Sequence, residues 1–413
     1  MTKFRKDGRD YGMKNKKKVR LFSSECVTVG HPDKTCDYIS DSVLTEILKQ
    51  DNKARVACEC MASTNKLTIA GEVTTSATVD YEKIARKAIR EIGYTHANCG
   101  FDADTVEIDI NVHSQSADIA LGTNDEVGGS GDQGMMLGGA VAETSDYMPL
   151  PITLARALSV RLYEVIQDSF DEDENNPKLR ADGKTQVTIA YGLDNMPEYV
   201  DTVVVSVAHS DDFNVRDLRN FVRENVIIPV LEDFNFDIRD VKNIYINPTG
   251  KFSIYGPNGD VGLTGRKIIV DTYGSYFGHG GGAFSGKDPS KTDRSGAYMA
   301  RYIAKNIVAS GVADKCEIQL AYAIGVAKPV SININMFGTN KYPVGLICRA
   351  VYALFDMTPK GISDTLELRS GDVDYTLTSV YGHFGEFAPT LYPWERTDKA
   401  QDITDFCENN YNK

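Results

Sequence analysis

The 413-residue chain contains no uninterrupted apolar run of about 18 residues, which excludes a transmembrane helix and a membrane partner. It contains no CxxC pair, and its eight cysteines (Cys26, Cys36, Cys58, Cys60, Cys99, Cys316, Cys348 and Cys407) are too few for a disulfide scaffold of this length. They read as small buried hydrophobes in a reducing cytoplasm, with Cys58 and Cys60 sharing one face of a strand. The six histidines show no HxxxH or HExxH spacing, which argues against zinc. No charged, apolar and small-residue series opens the chain, so a secretory signal is not expected and the expected location is the cytoplasm.

What is present fits a soluble globular protein: 42% hydrophobic and 25% charged residues, far too apolar for disorder. The length suggests two or three domains. The net charge is −13 and unevenly placed. Met1–Arg20 carries nine basic and two acidic residues, which leaves −20 for the other 393. Residues 1–20 therefore read as a flexible, solvated basic arm outside the catalytic body. The acidic body argues against a nucleic-acid partner.

Three hairpin-then-helix patterns recur. Ala54–Val73 gives two apolar-rich runs about a turn at Asn65, followed by helical spacing over Tyr81–Glu91 and a stop at Gly93. Lys184–Ser210 and Lys315–Phe337 repeat the hairpin, with helices expected over Asp217–Leu231 and Val344–Phe355. The units begin near Ala54, Lys184 and Lys315, at intervals of 130 and 131 residues. This regularity predicts a triplicated α+β architecture with mixed or antiparallel sheets.

Four glycine-rich polar stretches stand against these modules. Ser23–Asp41 runs into a helix with apolar positions Ile39, Val43, Ile47 and Leu48. Pro32 at its first position places His31, Asp33 and Lys34 around a helix N-terminus, which favours phosphate. Gly128–Met136 surrounds Asp132 and Gln133 with glycine. Asn247–Gly274 packs three turn signals before a strand expected at KIIV, residues 267–270. Gly278–Ser295 opens a helix expected over Gly296–Ser310. Its Gly281–Lys287 fits GxxxxGK, yet Asp288 stands where a Walker A loop needs a hydroxyl. Backbone N–H groups with Lys287, Lys291 and Arg294 can still hold a polyphosphate. His31, Lys34, Lys184, Arg266, Lys267, Lys287 and Lys291 supply groups for phosphate, and Asp33, Asp132, Asp182, Asp260 and Asp293 supply carboxylates for magnesium. Together they describe an ATP-using enzyme.

These segments resemble the S-adenosylmethionine synthetase (methionine adenosyltransferase) family. The resemblance runs over Leu21–Asp398 and rests on GHPDK at 30–34, ACE at 57–59, GEVTTSA at 71–77, GDQG at 131–134, DGKTQVT at 182–188, INPTGKF at 246–252, GPNGDVGLTGRKIIVDTYG at 256–274 and GHGGGAFSGKDPSKTDRS at 278–295. It implies three similar, intertwined sheet-plus-helix domains: 21–118, 129–252 and 253–398, with a gating loop over 116–130. It implies attack of the methionine sulfur on C5′ of ATP, then hydrolysis of the released triphosphate to diphosphate and phosphate. Two Mg²⁺ ions per site and K⁺ are the implied cofactors.

By resemblance, His31 hydrogen-bonds the departing oxygen, Asp33 and Asp293 are Mg²⁺ ligands, and Glu59 is the K⁺-site carboxylate. Glu72 matches the methionine ammonium contact and Gln115 the carboxylate contact. Asp132 and Lys291 match methionine-side or phosphate-side contacts. Asp182 and Lys184 match ATP contacts, and Phe252 would stack on adenine beside Lys251. Asp260 sits where ATP and methionine meet, and Arg266, Lys267, Ala283 and Lys287 match the phosphate cradle. The resemblance also implies a homodimer with shared active sites, alone or as a dimer of dimers. Leu137-Gly138-Gly139-Ala140, Lys251, Tyr255 and Ser275-Tyr276-Phe277 depart from the family pattern. Two other readings remain at this point: a phosphotransferase built on the near-P-loop, and a catalytically silent ATP-binding subunit.

Overall fold

The computed structural model describes residues 19–96, 99–114, 129–172, 178–385 and 392–411. The arm up to residue 18, Gln115 and the gating segment 116–128 lie outside the described residues. The strands in chain order are β1 (Arg20–Val27), β2 (Arg55–Ser63), β3 (Lys66–Thr74), β4 (Glu107–His113), β5 (Gly134–Val141), β6 (Leu179–Tyr191), β7 (Pro197–His209), β8 (Asn243–Ile246), β9 (Gly262–Leu263), β10 (Lys315–Tyr322) and β11 (Ser331–Asn335). The principal helices are α1 (Pro32–Leu48), α2 (Tyr81–Ile92), α3 (Leu150–Glu172), α4 (Val215–Val222), α5 (Thr292–Ala309) and α6 (Val344–Leu354).

The three expected hairpins are β2–β3, β6–β7 and β10–β11, all antiparallel. Asn65 takes φ 50° at the first turn, a left-handed angle asparagine tolerates well. The expected helices follow each hairpin: α2, capped by Asp80 and closed by Gly93 at φ 105°; α4, continuing through a π turn to Asp233; and α6.

The intertwining takes a cyclic form. The sheets run β4-β3-β2-β9, β8-β7-β6-β1 and β11-β10-β5. In each, the first hairpin strand (β2, β6 or β10) gains an antiparallel neighbour from a distant part of the chain (β9, β1 or β5). Among the described residues, the third sheet has no parallel outer strand like those that β4 and β8 give the others. One continuous core joins the first and third units, and a second fills the central unit between β6, β7, α3 and the 215–233 helices.

Two local expectations fail. Residues 267–270 are not a strand: Ile268–Asp271 forms a helical turn. The Arg156 guanidinium takes the Val270 and Thr272 carbonyls at 2.9 and 2.6 Å, so no sheet neighbour is needed to satisfy them. The helix expected from Gly296 begins at Thr292, which brings Asp293 into its first turn, where a carboxylate is favoured. Cys58 and Cys60 are both buried on one face of β2, as expected, and every cysteine is unbridged. Among the described residues, no helix is long and apolar enough to cross a membrane.

Candidate active site

α1 begins on His31, whose extended backbone ends the preceding turn and whose Nδ1 accepts the Asp33 N–H at 3.2 Å. Because Nδ1 is the acceptor, that bond assigns the ring proton to Nε2. His31 is buried, and burial, with Lys267 and Lys184 nearby, lowers its pKa to about 3. The ring is thus a neutral hydrogen-bond donor at the head of a helix.

The cradle loops close over this point. The Asp33 carboxylate meets Lys267 Nζ at 2.5 Å and accepts the Leu263 N–H at 3.0 Å. Burial works to raise the Asp33 pKa, but Lys267 and the Leu263 N–H outweigh it and hold the group below the usual carboxylate value. Arg266 Nε lies 3.7 Å from the same carboxylate, with its side chain half in solvent. A Cβ on Gly262 would overlap the Pro32 carbonyl, and one on Gly265 would overlap Ala283, so glycine sets how tightly these segments approach. Beyond that contact, Lys287 Nζ meets Asp293 Oδ2 at 2.7 Å. A Cβ on Gly280 would strike the Met135 carbonyl, which seats the GDQG segment on this loop. Asp132 is exposed there, its Oδ1 accepting the Gln133 N–H at 2.7 Å.

On the other side of His31, Asp182 is buried on β6 and accepts the Gly256 N–H at 2.9 Å. Its Oδ1 is buried without a hydrogen-bond partner among the described residues. Burial pushes the Asp182 pKa up to about 6, against the Gly256 N–H and Lys184, with Asp260 adding to the rise. Lys184 follows two residues later on β6, beyond a shift in the β6–β7 register, and is exposed, as is Asp260. Phe252 is half-buried; its N–H donates to His209 Nε2 at 3.2 Å and its carbonyl accepts the His209 N–H at 2.9 Å. Lys251 pairs with Asp211 at 3.0 Å.

Glu59 on β2 and Glu72 on β3 are exposed on the sheet face opposite Cys58 and Cys60. Register puts Glu72 across from Ala57 and Glu59 across from Ala70. Ala57 also bridges to Lys287, and the Cys58 N–H donates to the Gly286 carbonyl at 2.9 Å, so β2 ties these carboxylates to the Lys287 loop. Lys291 instead faces Asp288, at 3.3 Å.

Two expected phosphate contacts are structural. Lys34 is fully buried against Asp271 and Asp37, the latter at 3.2 Å. Arg294 is buried against Asp41 at 2.7 Å and its guanidinium lies 4.4 Å from the Tyr375 ring centre. Both are held by packing that no local glycine pattern reveals. Sequence reasoning also passed over Asp37 and Asp41, although DxxxDxxxD from Asp33 is a visible helix-face spacing.

Among the described residues, no cluster of three or more His, Cys, Asp or Glu could cage a metal. Asp33 and Asp293 each offer one carboxylate beside phosphate-type cations. That donor set suits Mg²⁺ completed by substrate phosphates and water, the usual way this ion is held.

Three family models match in succession: the S-adenosylmethionine synthetase N-terminal domain over 19–117, the central domain over 127–252 and the C-terminal domain over 254–396. Proteins named S-adenosylmethionine synthase from two strains of Staphylococcus epidermidis are each 49% identical over 402 residues, covering 94% of this chain and 98% of theirs. The chain belongs to the S-adenosylmethionine synthetase family. Within this synthetase, every sheet mixes strands from two matched ranges: β1 joins the central sheet, β5 the C-terminal sheet and β9 the N-terminal sheet.

Proposed function

We propose that the chain is a methionine adenosyltransferase. It converts ATP, L-methionine and water to S-adenosylmethionine, phosphate and diphosphate, by attack of the methionine sulfur on C5′ of ATP and later hydrolysis of the triphosphate. The observation that carries the site assignment is the convergence of the His31 turn, the Leu263–Lys267 turn and the Ala283–Lys287 turn, closed by the Asp33–Lys267 and Lys287–Asp293 pairs.

A thioether has no proton to lose, so the first step needs no general base. It needs in-line placement of a weak nucleophile and stabilisation of a polyanionic leaving group. Neutral His31 donates from Nε2 to the oxygen leaving C5′. Arg266, Lys267 and Lys287, with Ala283 lending a close backbone, grip the triphosphate. Asp182, Lys184 and Lys251 hold the nucleoside end, Phe252 stacks on adenine, and Asp260 stands between nucleotide and methionine. Glu72, Gln115, Asp132 and Lys291 bind methionine. Asp33 and Asp293 would hold two Mg²⁺ ions and Glu59 a K⁺; bound there, the cations neutralise the triphosphate charge. The exposed position of Glu59 and Glu72 on an open sheet face supports a homodimer in which each subunit completes its partner's site, alone or as a dimer of dimers. The cytoplasm is the proposed location.

The test is purified protein with ATP, methionine, Mg²⁺ and K⁺, each omitted in turn, with products identified. S-adenosylmethionine with phosphate and diphosphate, lost without methionine or Mg²⁺, supports the reading. ADP as product would instead mark a phosphotransferase, and no turnover a silent subunit.

A further inference from the structure

α1 carries Asp33, Asp37 and Asp41 four residues apart, on one helix face, and all three are buried. Each carboxylate accepts a backbone N–H from a cradle loop: Asp33 from Leu263 at 3.0 Å, Asp37 from Gly265 at 2.8 Å and Asp41 from Gly286 at 2.8 Å. Each also has a cation: Lys267 at 2.5 Å, Lys34 at 3.2 Å and Arg294 at 2.7 Å. Burying three carboxylates on one helix face is costly, and apolar residues of similar size would pack as well. The face therefore asks for a role beyond packing.

The two lower rungs have the same construction. Gly265 immediately precedes Arg266 and Lys267, and Gly286 immediately precedes Lys287. Both glycines lie in the left-handed region, at φ 80° and 78°, where a side chain would be strained. Each N–H docks on an aspartate of α1. Arg294 completes the second unit by donating to the Phe284 and Lys287 carbonyls at 3.1 and 3.3 Å, so the backbone is held on both sides of the lysine. The rungs are about 6 Å apart along the helix at 1.5 Å per residue, a fixed spacing on which the two loops are mounted.

We infer that Asp37 and Asp41 are positioning residues of the synthetase reaction: each fixes, through the N–H of a left-handed glycine, the backbone of the phosphate-binding cations that follow it. The inference rests on the proposed function and deepens it. α1 is then a ruler with its top rung at Asp33, and the cradle keeps its shape before the triphosphate arrives. Carboxylates suit this role because charge-assisted bonds to N–H are short and strong, and a preorganised cradle needs no rearrangement as charge develops.

The test compares full-length Asp37→Ala, Asp37→Asn, Asp41→Ala and Asp41→Asn with the unmodified protein. Two rates are read: S-adenosylmethionine formation, and cleavage of added inorganic tripolyphosphate, which engages the cradle without adenosine or methionine. The alanine variants are expected to lose about 10–100-fold in tripolyphosphate kcat/KM, the scale of one charge-assisted bond. Their methionine KM should stay within about twofold. Asparagine keeps an acceptor oxygen for the glycine N–H but not the charge, and should recover a measurable part of the loss, which a purely structural role would not give. Should the alanine variants fail to fold, amide exchange in the unmodified protein decides: Gly265 and Gly286 should exchange at least ~100-fold more slowly than unstructured amides. Exchange at the unstructured rate, or folded alanine variants with undiminished tripolyphosphate cleavage, overturns the inference. An inactive unmodified protein removes the functional reading itself, which separates the two failures.

Discussion

Lys287 and Asp293 hold each other at 2.7 Å, and Lys267 and Asp33 repeat the arrangement at 2.5 Å on the other cradle loop. In both pairs a phosphate-type cation rests against a carboxylate of the kind that holds Mg²⁺. The pairing keeps four charges compensated in a partly buried cleft. A magnesium triphosphate complex supplies partners of the opposite sign to both members at once. On the proposed function, the lysines would be free to take phosphate oxygens and the carboxylates a metal ion, so substrate entry would exchange ion pairs without stranding any charge. The acidic body outside the cleft then repels the substrate less than its net charge suggests, because the local cations dominate at short range.

Lys287→Ala should lower turnover about 10²–10³-fold, the scale for losing one preorganised charge-stabilising group. Its stability should change by less than about 1 kcal/mol, because the pair with Asp293 is about one-quarter exposed on each side. Steady-state kinetics beside a urea titration checks both. Full turnover would remove Lys287 from the cradle.

Lys34 makes the opposite case. Lys34→Met keeps most of the volume but leaves Asp37 and Asp271 buried without their cation. The expected loss is about 3–5 kcal/mol of stability, the penalty for breaking a buried pair from one side. A phosphate ligand at this position would instead give a raised ATP KM with an unchanged unfolding midpoint, which would contradict the buried placement.

These two lysines also mark how far local sequence reaches. Both sit in glycine-rich turns, and nothing near either one distinguishes a buried ion pair from a phosphate contact. Burial is decided by Asp271, 237 residues away from Lys34. The hairpin-then-helix units are readable because alternation, turn residues and helix stops are local signals. The strands β1, β5 and β9 that complete each sheet are not, since their pairing is with distant segments. KIIV reads as a strand on its β-branched residues and folds as a helical turn, with Arg156 capturing the Val270 carbonyl and the Thr272 carbonyl just beyond it. Asp37 and Asp41 carry no local signal of their role, because the loops that dock on them come from residues 265 and 286.

The buried histidines supply a part of the stability that acid removes. Burial, aided by Arg180, lowers the His96 pKa to about 4, and His31 and His383 shift the same way. The unfolded chain titrates near 6.5, so between about pH 6.5 and 4 it binds more protons than the folded one. The histidine contribution to stability is therefore full above about pH 6.5 and is lost as pH falls through this window, while buried Asp37 and Asp182, whose pKa values are raised to about 7 and about 6, contribute with the opposite sign. His96→Gln keeps an acceptor for the Tyr255 hydroxyl, 3.0 Å away from the ring, and removes the titration. On going from pH 7.5 to 5 its stability should change more favourably than that of the unmodified protein, by about 2 kcal/mol. Equal losses in urea titrations at the two pH values would refute the assignment.

Phe252 gives a test that separates the nucleoside end from the phosphate end. Its backbone is pinned to His209 by two hydrogen bonds, which fixes where the ring leaves the chain. Stacking of a base on an aromatic ring contributes about 1–3 kcal/mol. Phe252→Ala should therefore raise the ATP KM roughly 10–100-fold, since 1.4 kcal/mol is a factor of ten. Added tripolyphosphate has no base to stack, so its cleavage should keep its KM within about twofold. A parallel rise in both constants would mean that Phe252 supports the cradle rather than adenine. An ATP KM left unchanged would return Phe252 to the hydrophobic core against which it also packs.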